Sequence, residues 1–262
     1  MLYMYVLGEY DSFGRLLRVK NDGEIKTTYY YDTNGNRTHR CTPETGCIEL
    51  HYNAQDQLTK YGTNIYTYTL NGELKTKGNP EGVTVYDHDP MGNLVQVILP
   101  NSTVIGYTYD AKNRRVAKMV NGFITERLIY KDQLAPIAKL DADGNVLEEY
   151  VYGTGVNSPD YIRKDGVNYR VIKDLLGSTR MVVNASTGEI VKEIEYDEFG
   201  NIITETGTYS IPFGFAGGLR DTDTGLTKFG ARWYDPEVGR WIEKDPIMFD
   251  GGLNHYAYCD QP

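Results

Sequence analysis

The chain has 262 residues, 40% of them hydrophobic and 24% charged, a make-up that fits a folded domain and excludes disordered or collagen-like polymers. Its formal net charge of −9 excludes a surface built to track nucleic-acid phosphates, because that role needs a surplus of Lys and Arg on the binding face. No window approaches the ~18–20 consecutive apolar residues of a membrane-spanning helix, so a soluble chain without a membrane span is expected.

The opening stretch MLYMYVLGEY has a short apolar run and no basic flank, and does not read as a secretory signal. An exported protein of this kind would take its address from another segment, a dedicated machine, or the N-terminus of a longer polypeptide.

From Tyr10 onward one motif keeps returning. It reads YDSFGRL at Tyr10, YDTNGNR at Tyr31, YTLNGEL at Tyr68, YDAKNRRV at Tyr109, LDADGNV at Leu140 and YDEFGNI at Tyr196, with a degenerate copy, YNAQDQL, at Tyr52. With His88 of HDPMGNL filling the aromatic slot, the first six slots fall at 10, 31, 52, 68, 88 and 109, spaced by 21, 21, 16, 20 and 21 residues. A period of this length means an array of one supersecondary unit.

That unit is a β-hairpin. Thr27 to Asp32 carries two Thr and three Tyr, which suit a pleated surface, and Thr33-Asn34-Gly35-Asn36 follows, where Asn and Gly accept positive φ at little cost. Further turn signals stand at Asn21-Asp22-Gly23, Asn71-Gly72, Asn121-Gly122 and Asp143-Gly144. Two short strands cannot bury an apolar face alone, so consecutive units must pair edge to edge into an antiparallel sheet that curls. Tyr outnumbers Phe by 23 to 7, which predicts a sheet wet on at least one face. Lys112, Arg114, Arg115 and Lys118 cluster along one stretch, and the expected reading is a solvated strand face.

Cys41 and Cys47 flank a five-residue hairpin loop and should face each other. Two free thiols, a cross-strand disulfide, and a metal held with His39 and His51 are all compatible with that placement. The metal is the weakest of the three, since the spacing is not a standard zinc signature and the two histidines belong to successive pairs along the ladder. Cys259 is left over.

Near residue 150 the motifs change. The spacing loosens through Gly153-Thr154-Gly155 and Asn157-Ser158-Pro159, then denser segments follow: DLLGSTR from Asp174 to Arg180, YDEFGN from Tyr196, FGFAGGLRDTDTGLTKFGARWYDPEVGRWIEKDPI from Phe213 to Ile247, and GGLNHYAYCDQP to the end. On these motifs the chain resembles the YD-repeat, or Rhs-repeat, family over residues 1–150, and the Rhs repeat-associated core domain over 151–262. Single YD copies are weakly specific, whereas the ordered set DxxGSTR, YDxFGN, GARWYDPxxGRW, DPI and GGLNxYAY is highly specific.

The resemblance implies an all-β fold, a spiral of hairpins forming a partial shell, closed by a core-domain plug whose motif residues are Asp174, Gly177, Arg180, Trp233, Tyr234, Asp235, Arg240 and Trp241. In bacterial members of the family the shell encloses a C-terminal toxin. Some cores also free that toxin by aspartyl-type self-cleavage, and related arrays occur on animal cell-surface proteins. Arg232 and Asp245 match two self-cleavage residues; the core is expected to be truncated before the cleavage junction, without the third carboxylate and the scissile bond, so a vestigial or truncated, inactive half-site is expected. The stronger reading of Arg232, Asp235, Arg240 and Asp245 is an ion-pair lattice that pins the plug, with Trp233, Tyr234 and Trp241 as its buried mass.

Other catalytic signals are poor. The glycine-rich Phe213–Gly218 segment lacks the Lys and helix of a phosphate cradle and reads as a tight turn, Ser178 as a turn residue. The four His, at 39, 51, 88 and 255, supply no base for a nucleophile, and no cofactor is expected. Strands of about five or six residues give about two dozen strands, too few for a large sealed container. Either the core folds back to fill the hollow, or further shell segments, a second copy or another partner cover it. Three functional readings follow. The leading one is an encapsulation and delivery scaffold, secreted or at the cell surface, for a C-terminal toxin or effector polypeptide. The second is a carbohydrate- or cell-surface-binding module, and the third is the self-cleaving core.

Overall fold

The computed structural model describes residues 6–153 and 155–258; Thr154 and the end of the chain from Cys259 lie outside the described residues. Among the described residues it contains 24 β-strands, paired antiparallel, no α-helix and no helix long and apolar enough to cross a membrane. Packing divides the chain into two units, Met1–Thr84 with Arg240–Pro262, and Val85–Gly239.

In the first unit eight strands, from Val6–Tyr10 to Leu74–Asn79, each pair with their neighbour in sequence. In the second, the strands from the one ending at His88 to Ile202–Thr206 do the same. The all-β array of antiparallel hairpins required by the repeat period is what forms.

Two kinds of turn alternate, and in such a meander they fall on opposite edges of the sheet. One is the two-residue hairpin of Asp22-Gly23, Asn121-Gly122 and Asp165-Gly166, where both residues have positive φ. The other is the repeat motif itself. Asp32 Oδ1 accepts the amides of Asn34 (2.9 Å) and Asn36 (2.8 Å), while its own amide bonds the Asn36 carbonyl at 2.9 Å. The same bonds recur at Asp11, Asn53, Asp89, Asp110, Asp141, Asp174 and Asp197. The fourth residue must take positive φ, which Gly does freely; Asp56 and Asn113 stand there in degenerate copies at 59° and 57°.

The tyrosine of the motif has a structural job. Tyr31 donates its hydroxyl to the Leu16 carbonyl (2.8 Å), Tyr52 to Arg37 (2.9 Å), Tyr109 to Leu94 (2.8 Å), Tyr130 to Arg115 (2.9 Å) and Tyr152 to Pro136 (2.7 Å). Each acceptor directly follows the turn of the preceding copy. Part of the tyrosine excess is thus spent on main-chain carbonyls of the neighbouring repeat, a bond Phe cannot make, while strands such as Val146–Val151 alternate buried and exposed residues and present one face to solvent.

The position after the glycine also reaches onward. Asn36 Nδ2 bonds its own Asp32 (3.0 Å) and Asp56 of the next turn (2.7 Å). Arg15 and Arg114 do the same with longer arms, each pairing with its own Asp and donating to the carbonyls of Asp32 (2.9 Å) and Asp132 (3.0 Å). Each unit buries apolar side chains of its own strands, Leu58 and Leu74 in the first and Leu94, Val97, Ile105, Ile162, Val182 and Ile194 in the second.

Candidate functional site: the segments docked on the repeats

After Thr206 the chain of the second unit leaves the meander and packs on the core. Tyr209, Ile211, Phe213 and Leu219 join the cluster built by Leu128, Tyr150, Ile162, Val171, Val182 and Ile194, with Phe213 edge-on to Tyr150 at 4.9 Å. The glycine-rich segment forms a single 3-10 turn, Phe215–Gly217, in which Ala216 takes a left-handed conformation (φ 47°). The DxxGST copy holds it: Ser178 Oγ accepts the Ala216 amide (3.0 Å) and the Thr179 amide donates to the Gly214 carbonyl (3.2 Å). Asp174 and Gly177 therefore make an ordinary repeat turn, and Arg180 lies 5.8 Å from the Tyr196 ring.

A short antiparallel sheet follows, Leu219–Arg220, Thr227–Phe229 and Arg232–Asp235. Trp233 and Tyr234 are fully buried. The Trp233 indole donates to the Tyr109 hydroxyl (3.1 Å), which itself donates to Leu94, so one phenol ties the docked segment to two repeats. The Tyr234 hydroxyl donates to the Phe199 carbonyl (2.8 Å).

The most polar anchor is Asp221, 1% exposed. Its carboxylate accepts from Lys118 (2.8 Å), the Tyr107 hydroxyl (2.8 Å) and the amides of Asp223 (3.0 Å) and Thr224 (3.1 Å), with Arg115 at 3.8 Å. Burial by itself would raise the Asp221 pKa, but Lys118, Arg115 and the hydrogen bonds hold it below its ordinary value. Arg115 also pairs with Glu126 at 2.7 Å, and Lys118 with Asp223 at 2.5 Å. The basic run is therefore not a solvated face throughout. Lys118 is buried because Asp221 and Asp223, about a hundred residues downstream in sequence, neutralise it, a pairing that local sequence cannot reveal, and Arg115 because Glu126 on the adjacent strand does.

The docked segments bind the motif asparagines. Asn201 Nδ2 bonds its own Asp197 (2.8 Å) and, where Asn36 reaches the next turn, reaches the Pro236 carbonyl instead (2.7 Å). Within the first unit, Arg240 donates to Asn36 Oδ1 (2.9 Å), the Asp56 carbonyl (2.7 Å) and Asn254 Oδ1 (3.1 Å), and its guanidinium carbon lies 4.8 Å from the Tyr52 ring centre. Asn254 Nδ2 bonds Asn36 Oδ1 at 2.7 Å. Tyr256 donates to the Gly72 carbonyl (2.7 Å) and accepts from Gln57 (3.0 Å), while the Leu74 amide bonds the Ile242 carbonyl (2.8 Å). Trp241 is buried against Tyr258, with ring centres 5.4 Å apart. These anchors of Arg240 are amide and carbonyl oxygens.

Arg232 lies half-buried in the Arg232–Asp235 strand, opposite Phe229. Buried Asp235 caps its own turn, its Oδ1 accepting the Glu237 amide at 3.0 Å. Asp245, also buried, belongs to the other packing unit; its amide bonds the His255 carbonyl (3.1 Å) and its Oδ1 accepts the Ile247 amide (3.0 Å). Cys41 is directly opposite Cys47 in the register, with Cα atoms 3.9 Å apart and the sulfurs bonded as a disulfide. His39 faces Glu49 and His51 faces Lys60, and among the described residues no cluster of three or more His, Cys, Asp or Glu could hold a metal. Asp221 and Tyr107 carry the docking without having been singled out by sequence; Asn254 and Tyr256 stand in the GGLNxYAY motif but had been given no role.

The teneurin YD-shell family model matches residues 5–257. The chain belongs to that family. It is 28% identical to the tRNA nuclease WapA of Bacillus subtilis over 264 residues, covering 95% of this chain and 11% of WapA. It is 30% identical to teneurin-1 of Mus musculus over 245 residues, covering 89% of this chain and 9% of teneurin-1. The chain thus spans about a tenth of the length of these relatives. Among solved structures, the TcdB2-TccC3-Cdc42 crystal structure superposes with a TM-score of 0.52 at 18% identity, covering 96% of this chain and 17% of the other, a likeness of fold.

Proposed function

We propose that this YD-shell chain is a length of container wall, residues 1–150, with a closing core, residues 151–262, that encloses and delivers a C-terminal effector polypeptide. The observation that carries this reading is that the docked segments use the repeats' own contacts. Asn201 holds the Pro236 carbonyl as Asn36 holds the next turn, and Tyr109 binds both Leu94 and Trp233. A wall that accepts its own chain as a further layer is suited to covering its interior, since uncovered apolar sheet invites association.

The relatives support a scaffold over a catalyst. A chain named as a tRNA nuclease and a teneurin share this segment, so the segment itself is not what distinguishes their activities. Secreted or cell-surface placement goes with this reading, and the partner it calls for is a partly unfolded polypeptide. Fluorescence anisotropy with a labelled, reduced and carboxymethylated protein, set against the same protein folded, tests it. Saturable binding of the unfolded form alone is expected. Binding of neither form, or saturable binding to a glycan array in its place, would refute the encapsulation role.

A further inference from the structure

A cavity of about 240 Å³ in the second packing unit has walls from two sources. Arg114, Arg115 and Tyr130 come from the repeats; Gly218, Lys228 and Phe229 come from the docked segment. In a chain of net charge −9, the lining carries three cations and no carboxylate. That excess is local and selected by the fold, because Lys228 and Arg114 are far apart in sequence.

The Arg115 side chain is 2% exposed and its Nε is buried with no hydrogen-bond partner, although its Nη2 atom is engaged by Glu126. The Arg114 guanidinium carbon lies 5.2 Å from the Tyr130 ring centre, so an aromatic face adjoins the charge. The opposite wall is close-packed: a Cβ on Gly218 would fall 2.4 Å from Thr227 Cγ2 and 2.7 Å from Phe229 Cε1. At ~30 Å³ per water the space holds about eight waters, enough for an oxyanion with a ring-sized body and too little for a peptide.

We propose that this cavity binds a small oxyanion, a phosphate or a small-molecule carboxylate, and that the bound anion locks the docked segment to the repeats. Glu126, Asp221 and Asp110 pair with the two arginines and temper the positive field, so the site is selective for an anion without demanding a high charge. Because both walls contribute cations, occupancy and docking are linked.

Calorimetric titration of the full chain with inorganic phosphate, benzoate and the neutral isostere benzamide tests this. Saturable binding of phosphate or benzoate is expected, the better of the two naming the source of the oxyanion, with Arg114→Gln and Lys228→Met each weakening it about tenfold or more through loss of a charged contact. Hydrogen exchange at the Gly218 amide should slow on saturation. Arg163→Gln, at an exposed site, should bind as the parent does. Failure of both anions to bind the parent chain, benzamide binding as well as benzoate, or unchanged affinity in both cavity variants would overturn the proposal. The benzoate and benzamide comparison stands even if a variant fails to fold.

Discussion

Tyr109→Phe removes one oxygen and should cost more than its counterpart elsewhere in the array. The hydroxyl donates to the Leu94 carbonyl at 2.8 Å and accepts from the Trp233 indole at 3.1 Å. Trp233 has no exposed surface, so its N–H would lose its acceptor in a site water does not reach. The unmade buried donor costs about 1–3 kcal/mol and the lost carbonyl bond about 0.5–1.5, a sum of about 2–4 kcal/mol. Tyr31→Phe loses the bond to Leu16 and should cost about 1 kcal/mol. Urea unfolding followed by circular dichroism measures both, with the slope m checked for constancy so that midpoint shifts report stability. If Tyr109→Phe costs no more than Tyr31→Phe, the phenol is not the joint between the docked segment and the repeats.

Three further outcomes follow from named contacts. Gly72→Ala places a Cβ 2.3 Å from Lys244 Cε and 2.6 Å from the Tyr256 hydroxyl at a φ of +99°, so it should destabilise the first unit by about 2 kcal/mol, with faster amide exchange around Ile242 and Tyr256. Asp221, whose folded pKa lies below its ordinary 3.8, contributes stability that is full above that value and is lost as the pH falls through the folded pKa. Asp221→Asn should therefore lower stability at neutral pH and flatten its fall below about pH 4; an acid-unfolding curve parallel to the parent's would count against the assignment. Reduction of Cys41–Cys47, which closes a short loop, should cost about 2 kcal/mol, read as a shift in the urea midpoint with and without reductant and checked by peptide mapping.

The wall was legible because its signal is local and repeated. Asp32, Gly35, Asn36 and Tyr31 each act within one or two turns, so a period near twenty residues carries both the hairpins and their order. The facing of Cys41 and Cys47 followed from their flanking one hairpin loop, which is shorter than the expected five residues because Thr42 pairs with Gly46. The bonds of Tyr31 and Tyr52 to the preceding repeat were not legible, because a hydroxyl that bonds a carbonyl fifteen residues back looks in sequence like one that bonds water. Lys118 was misread for a related reason: its partner Asp221 is a non-local choice of the docked segment, whereas Arg115 pairs with Glu126 on the adjacent repeat strand. Asn254 and Tyr256 have the chemistry of many surface residues, and only the fold brings them to Asn36 and Gly72.

The central claim is that this wall, with its docked segments in place, shields a polypeptide. An unfolded reporter fused after Pro262 tests it directly, its tryptic half-life compared between the parent chain and the Tyr109→Phe and Asp221→Asn double variant. The account predicts cleavage at least several-fold slower than for the free reporter, with the protection reduced in the variant. Cleavage of the parent fusion at the rate of the free reporter would contradict it.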